Sequence, residues 1–256
     1  MPDFIKVTEI PKENIPKEQY NRITRRYSWA TLHCQNKKVL ECSCGSGQGS
    51  EMVSKVASLY VGSDIDENLI QISKKNNPQI KFEVFDACDI PYNDNFFDVI
   101  LIFESIYYLK DFDKFLNEAH RVLNKDGLLL IVTANKDLYD FSKSPFSIKY
   151  YGVDEINLKL KDSLFLDINF YGDVSVKNVS LRQKFLRPIK YLFSKLNLIP
   201  NSMNGKKFLK KIFYGKNHIE MPKKLLYKPE LINNLVKLEN NKKNSEYKTI
   251  YVKAKK

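Results

Sequence analysis

The most constraining feature of this chain is the stretch Val39-Leu-Glu-Cys-Ser-Cys-Gly-Ser-Gly-Gln-Gly, where a short apolar run empties into three glycines at alternate positions. The pattern predicts a strand over Lys38–Cys42, a turn, and then a helix carrying Met52, Val53, Val56 and Ala57 on one side. Glycine at 45, 47 and 49 lets the backbone turn tightly and approach a ligand with no side chain in the way. Many ligand-binding α/β sheets open in this order, so the turn alone selects a kind of fold and no single ligand.

The residues after this turn supply the rest of the fold. Leu59 to Ser63 reads as a strand closed by Asp64, and Asp66 as the N-cap of a helix through Leu69, Ile70 and Ser73 that stops before Pro78. Ile80–Phe85 and Phe97–Phe103 read as strands separated by the turn-rich Pro91-Tyr-Asn-Asp-Asn. Phe112, Phe115, Leu116, Ala119, Val122 and Leu123 mark a helix, with Gly127 placed to end it and Leu128–Thr133 as a buried strand. A helix near 153–161, a strand near 164–170 and an alternating final strand over 246–254 complete the series. Ahead of it all, Tyr20, Ile23, Tyr27, Ala30 and Cys34 predict an amphipathic helix over 17–35. Strands alternating with helices at this rhythm predict an α/β, doubly wound, mostly parallel sheet.

Charge divides the chain unevenly. Residues 1–174 hold 21 Lys+Arg against 26 Asp+Glu, a net −5, whereas residues 175–256 hold 21 against 4, a net +17. Such a tail suggests a partner with anionic groups, and a solubilising face is the competing reading. Within it, Phe185, Leu186, Ile189, Leu192, Phe193 and Leu196 keep a helical period with the basic residues off that stripe, and a second basic helix is expected over Lys206–Phe213. The opening residues lack the apolar stretch of a signal peptide. Leu128–Val132, the longest strongly apolar run, falls far short of the roughly 20 residues that span a bilayer, so a cytoplasmic protein is expected. Cys34, Cys42, Cys44 and Cys88 have no spacing of a disulfide framework. Cys42-x-Cys44 has no second pair or histidine cluster to complete a metal site, so no metal is assigned.

Taken in order, Glu41 to Gly49, Val61-Gly-Ser-Asp64, Asp86-Ala87, Phe96-Phe-Asp-Val-Ile and Arg121-Val-Leu-Asn-Lys-Asp-Gly-Leu-Leu resemble the class I S-adenosylmethionine (SAM)-dependent methyltransferases, especially the subgroup called type 11. The resemblance covers residues 37–170 and the final strand, over half of the chain. It implies a Rossmann-like, seven-stranded sheet with an N-terminal helix and a basic helical insertion before the last strand. It divides a single methyltransferase domain into a cap helix region (1–36), a SAM-binding core (37–174), a basic lid or acceptor region (175–245) and the final strand (246–256). SAM is the implied cofactor: Glu41, Gly45 and Gly47 at its methionine portion, Asp64 at the ribose, Ile65 on an adenine face, and Asp86 and Ala87 at the adenine edge. A tyrosine of the N-terminal helix, Tyr20, would close over the methionine carboxylate. Loop capping is the competing reading for Asp64 and Asp86, and core packing for Tyr20 and Tyr27.

The segment Phe103-Glu-Ser-Ile-Tyr-Tyr after the fourth strand would face the methyl group and the acceptor. Methyl transfer is a direct displacement governed by alignment, and an acceptor hydroxyl must also lose a proton. Glu104 is therefore the candidate base and Tyr107 and Tyr108 the candidate orienting groups; alternatively Glu104 only contacts SAM or caps the next helix. Three further segments, around Thr8-Glu-Ile-Pro, Thr133-Ala-Asn-Lys-Asp and Ser180-Leu-Arg-Gln-Lys-Phe-Leu-Arg-Pro, are similar to bacterial methyltransferases associated with surface-polysaccharide biosynthesis. They imply a small-molecule or glycan acceptor, a sugar hydroxyl on a nucleotide or lipid carrier, with the basic tail near an anionic membrane surface or packed as a lid. RNA is the alternative acceptor, drawn by the same +17 segment, and a non-catalytic SAM-binding protein is the alternative class.

Overall fold

A computed structural model of the chain describes residues 4–177, 188–189 and 218–256. The two basic helices expected over 185–196 and 206–213 lie outside the described residues, apart from the helical pair 188–189. No helix among the described residues is long and apolar enough to cross a membrane.

The chain opens with a 3-10 turn (Phe4–Val7), a short strand β1 (Asn14–Pro16) and the long helix α1 (Lys17–Cys34). There follow β2 (Lys38–Cys42), α2 (Ser50–Ser54), β3 (Leu59–Asp64), α3 (Glu67–Asn76), β4 (Lys81–Val84) and β5 (Phe97–Phe103). The series continues with α4 (Phe112–Val122), β6 (Leu123–Ala134), α5 (Val153–Asp162) and β7 (Leu166–Ser175). After the undescribed stretch come β8 (His218–Glu220), β9 (Val236–Leu238) and β10 (Tyr247–Lys255).

The main sheet runs β4-β3-β2-β5-β6-β10-β7-β9. From β4 to β6 all neighbours are parallel, and β10 is antiparallel to both β6 and β7. The seven expected strands are present, and an eighth, the three-residue β9, extends the edge beside β7. The chain winds outward from β2 through β3 to β4, then returns to lay β5 on the other side of β2. The sheet therefore reverses direction between β2 and β5, where a crevice opens at the carboxyl ends of the strands.

Side-chain alternation fills both faces of this sheet. Leu40, Ile100, Ile102, Leu129, Ile131, Ile250 and Val252 point to the face covered by Phe115, Leu116 and Ala119 of α4. Val39, Leu101, Phe103, Leu130, Val132 and Tyr251 point to the opposite face, covered by Ile23, Tyr27, Ala30 and Cys34 of α1. Two helix starts follow the chemistry of their first residues: Asp66 accepts from the Asn68 N–H at 2.9 Å, and Asp111 from the Lys114 N–H at 2.9 Å.

Gly127 does not end α4, contrary to expectation. The helix stops at Val122 and the chain is extended from Leu123 onward. Leu123 pairs with Phe97, and regular pairing resumes only at Leu128 with Val99. A Cβ at Gly127 would lie 2.8 Å from the carbonyl oxygen of Asn124. Glycine is needed there for close approach within a bulge. The strand expected near 164–170 begins and ends later, at Leu166 and Ser175.

Candidate active site

At the crevice, the backbone is held by side chains from neighbouring strand ends. Gly45 and Gly47 take φ of +59° and +73°, in the left-handed region that side chains disfavour. Asp64 fixes this turn from the tip of β3: one carboxylate oxygen accepts from the Gly45 N–H at 3.0 Å and the other from the Asp66 N–H at 3.0 Å. Burial raises the Asp64 carboxyl to about 6, against the pull of those backbone donors. Gly47 faces away, its missing Cβ 3.0 Å from Ser73, with its carbonyl accepting from Asn77 at 3.0 Å.

The result is a cleft of about 460 Å³ running across the strand ends, a size ordinary for a small-ligand site. Asp64, Ile65, Leu69, Phe85, Asp86 and Ala87 form one end, beyond β3 and β4. Cys44, Gly45, Gln48, Tyr27 and Phe103 line the middle. The other end reaches over β6 and β10, where Glu104, Ser105, Ala134 and Thr249 meet Arg22 and Arg26 of α1. Phe4, Val7, Tyr107, Tyr108, Phe146 and Ile148 make an aromatic and aliphatic rim, with Phe4 edge-on to Tyr108 at 5.5 Å.

Glu104 terminates β5 in an unusual conformation, φ +53°, and its N–H donates to the Val132 carbonyl at 2.6 Å. A left-handed glutamate costs on the order of 1–3 kcal/mol and must be held by its surroundings. The carboxylate accepts from the Tyr107 hydroxyl at 3.1 Å. Burial pushes its pKa up, opposed by Arg26, Arg22 and the Tyr107 bond. Tyr107 in turn stacks on Tyr150 at 4.2 Å, and Tyr108 shares a 2.6 Å hydrogen bond with Ser144.

Of the residues singled out from the sequence, Gly45, Asp64, Ile65, Asp86, Ala87, Glu104, Tyr107 and Tyr108 come together on the cleft wall. Three do not. Gly47 supports the turn from behind. Tyr20 packs with the α1 face of the core beneath the ammonium of Lys228, 5.3 Å from its ring; two turns further along the helix, Tyr27 lines the cleft. Glu41 is buried beneath the glycine turn, where Tyr27 donates to one carboxylate oxygen at 2.6 Å and Tyr60 to the other.

Arg26 lies on the helix expected over the cofactor mouth, whereas Arg22 was not singled out from the sequence, although the four-residue spacing puts both on one side of α1. Their neighbour Arg25 points the other way and pairs with Asp173. Arg26 is half-buried, and its buried Nε has no hydrogen-bond partner among the described residues.

These features suit the parts of SAM. Arg26, with an unmet donor, can take the carboxylate of an amino acid. Asp64 retains acceptor capacity for ribose hydroxyls, and Ile65, Leu69, Phe85 and Ala87 offer an apolar slot for a flat base. No group of three or more His, Cys, Asp and Glu side chains among the described residues converges as a metal site.

Fold and cleft define a class I SAM-dependent methyltransferase architecture. Residues 40–131 match the family described as "Methyltransferase domain", and this segment is a SAM-dependent methyltransferase domain. The chain is 28% identical over 167 residues to a Mycobacterium tuberculosis protein named "Probable S-adenosylmethionine-dependent methyltransferase", covering 64% of this chain and 61% of that one. It is 28% identical over 155 residues to the ubiquinone biosynthesis O-methyltransferase of Pelagibacter ubique, covering 57% and 64% respectively. The chain thus spans less than two thirds of the length of these relatives. Among solved structures, a SAM-dependent methyltransferase from Archaeoglobus fulgidus shares the fold with a TM-score of 0.59 at 17% identity, over 93% of this chain and 94% of that one.

Proposed function

We propose that this protein transfers the methyl group of SAM to a hydroxyl of a small-molecule or glycan acceptor, a sugar hydroxyl in surface-polysaccharide biosynthesis. The observation that carries the reading is Glu104: a half-buried carboxylate at the tip of β5, bonded to Tyr107, at the end of the cleft away from the Asp64–Ala87 slot. When bound, SAM supplies a sulfonium-activated methyl carbon, which passes to the acceptor oxygen as the carbon–sulfur bond breaks and its electron pair stays on sulfur. Glu104 takes the proton of that hydroxyl, and burial, by raising its proton affinity, suits it to the task. Tyr107 holds the carboxylate in place. Phe103 and Val132, both buried, give this end of the cleft an apolar wall beside Glu104.

The rim supports a sugar acceptor, since Phe4, Tyr108 and Phe146 offer aromatic faces beside the polar groups Glu104, Ser105 and Thr249. The Pelagibacter relative is by name an O-methyltransferase, in keeping with an oxygen acceptor. In this reading the chain acts as one methyltransferase domain in the cytoplasm, and its basic C-terminal third approaches the phosphates of a carrier or an anionic membrane surface. Incubation with labelled SAM and size-fractionated acceptors tests it. Label entering neutral or carrier-linked glycans is expected. Label entering only RNA, or no label transfer despite SAM binding, overturns it.

A further inference from the structure

Tyr27 is clamped on three sides. Its ring sits so close to the glycine turn that a Cβ on Gly49 would fall 2.2 Å from it. Phe103 meets it edge-on, centroids 5.5 Å apart. Its hydroxyl donates to Glu41 at 2.6 Å. Glu41 is itself locked, because its second oxygen accepts from Tyr60, whose hydroxyl lies 2.9 Å from Ser50 Oγ. Of the hydrogen-bonded group Tyr27, Glu41, Tyr60 and Ser50, Tyr27 alone lines the cleft.

A phenol has one proton to give. With Glu41 ionised, above its raised value of about 7, that proton is committed to the carboxylate and the Tyr27 oxygen can offer only lone pairs to anything in the cleft. The amino-acid end of SAM carries one charged donor, the α-ammonium, and one charged acceptor, the carboxylate. Arg22 and Arg26, with no acceptor capacity, match the carboxylate; an acceptor-only Tyr27 matches the ammonium.

We infer that Glu41 is a positioning residue that never touches the cofactor: by holding the Tyr27 proton, it makes Tyr27 an obligate acceptor for the α-ammonium of SAM. The inference rests on SAM being the cofactor. It assigns the acidic residue of the turn an indirect role in place of the direct contact expected from sequence. A carboxylate is a stronger acceptor than water, so the Tyr27 oxygen also gains negative character toward the ammonium.

Two ligands separate this role from simple support of the turn. S-adenosylhomocysteine carries the amino-acid end, whereas 5′-methylthioadenosine keeps only the nucleoside and a thioether. Calorimetry on the full chain is expected to show Tyr27→Phe and Glu41→Leu each weakening S-adenosylhomocysteine about tenfold or more, the size of a lost hydrogen bond to a charged group. Affinity for methylthioadenosine should stay within about twofold, which also reports that the variants are folded. Glu41→Gln, which keeps an acceptor for the Tyr27 proton, should recover most of the loss. The double variant should be no weaker than either single one, as expected for residues acting in series. Equal losses for both ligands in Glu41→Leu, or full affinity for S-adenosylhomocysteine in either single variant, would overturn the assignment. If wild-type protein binds methylthioadenosine but shows no preference for S-adenosylhomocysteine, the inference also fails. If it binds neither, the SAM reading itself is what has failed.

Discussion

Arg25 of α1 reaches both carboxylate oxygens of Asp173 on β7 with one guanidinium nitrogen, while its Nε donates to the Leu231 carbonyl at 2.6 Å. Both side chains are buried. The pair ties the helix that roofs the cleft to a strand 148 residues later. Asp173→Ala leaves a buried cation without its partner and should cost about 3–5 kcal/mol, read as a lower urea midpoint with an unchanged slope. A loss under about 1 kcal/mol would mean that water reaches Arg25.

Asp64→Ala should weaken S-adenosylhomocysteine and methylthioadenosine alike, because the carboxylate fixes the turn through the Gly45 N–H and keeps acceptor capacity for ribose hydroxyls. A drop of about tenfold or more for each ligand is expected by calorimetry. Loss confined to S-adenosylhomocysteine would move Asp64 away from the nucleoside.

Glu104→Gln should lower kcat by about 10²–10⁴ while leaving cofactor affinity within a few-fold, the signature of a lost general base. In the wild type the rate should rise with pH as Glu104 deprotonates, through a midpoint above the ordinary glutamate value of 4.5. Parallel loss of cofactor affinity and rate would make Glu104 a SAM contact instead.

Two buried carboxyls give stability a definite pH slope. Glu41 is raised from 4.5 to about 7 and Asp64 from 3.8 to about 6, both by burial. Between the ordinary and raised values the folded chain holds protons that the unfolded chain has released. Stability from these groups is therefore full below their ordinary values and is lost as pH rises through about 6 to 7. Glu41→Gln should flatten the fall in urea midpoint between pH 5 and pH 8. An unchanged slope would show that Glu41 stays ionised throughout.

Gly49→Ala should be among the most damaging single-methyl additions, since the new carbon would overlap the Tyr27 ring at 2.2 Å. Reduced cofactor affinity together with a Tm lowered by several degrees is expected. A wild-type Tm would mean that α1 can shift outward freely.

The sheet was legible because its strands carry short, mostly continuous apolar runs with turn chemistry between them; Lys38–Cys42 and Phe97–Phe103 agree with the structure to the residue. Asp64, Asp86 and Glu104 were legible for a related reason, as polar residues at the ends of such runs. Helical roles were harder to read. Tyr20 and Tyr27 are both aromatic residues on one amphipathic helix, and sequence alone does not show that the ring of Tyr27 is the one packed where a Cβ on Gly49 would be. Arg22, Arg25 and Arg26 look alike in sequence, and only the distant Asp173 separates a structural arginine from two that face the cleft. Glu41 reads in sequence as a strand-end ligand contact, and what the sequence does not show is that two tyrosines, 14 and 19 residues away, donate to its two oxygens. The edge strand β9 has three residues, too few to show a period.

The small two-stranded sheet of β1 with β8 has a consequence for the newborn chain. Asn14, Ile15 and Pro16 wait for His218, Ile219 and Glu220, and the next residue, Met221, closes against the cleft. Thr249 on the far wall arrives later still. Such distant pairings form late and slow folding. A ribosome that has already released the half carrying Asp64 and Asp86 would still hold a chain with an unfinished pocket, so competence to bind the methyl donor should switch on only after residues 218–249 have emerged.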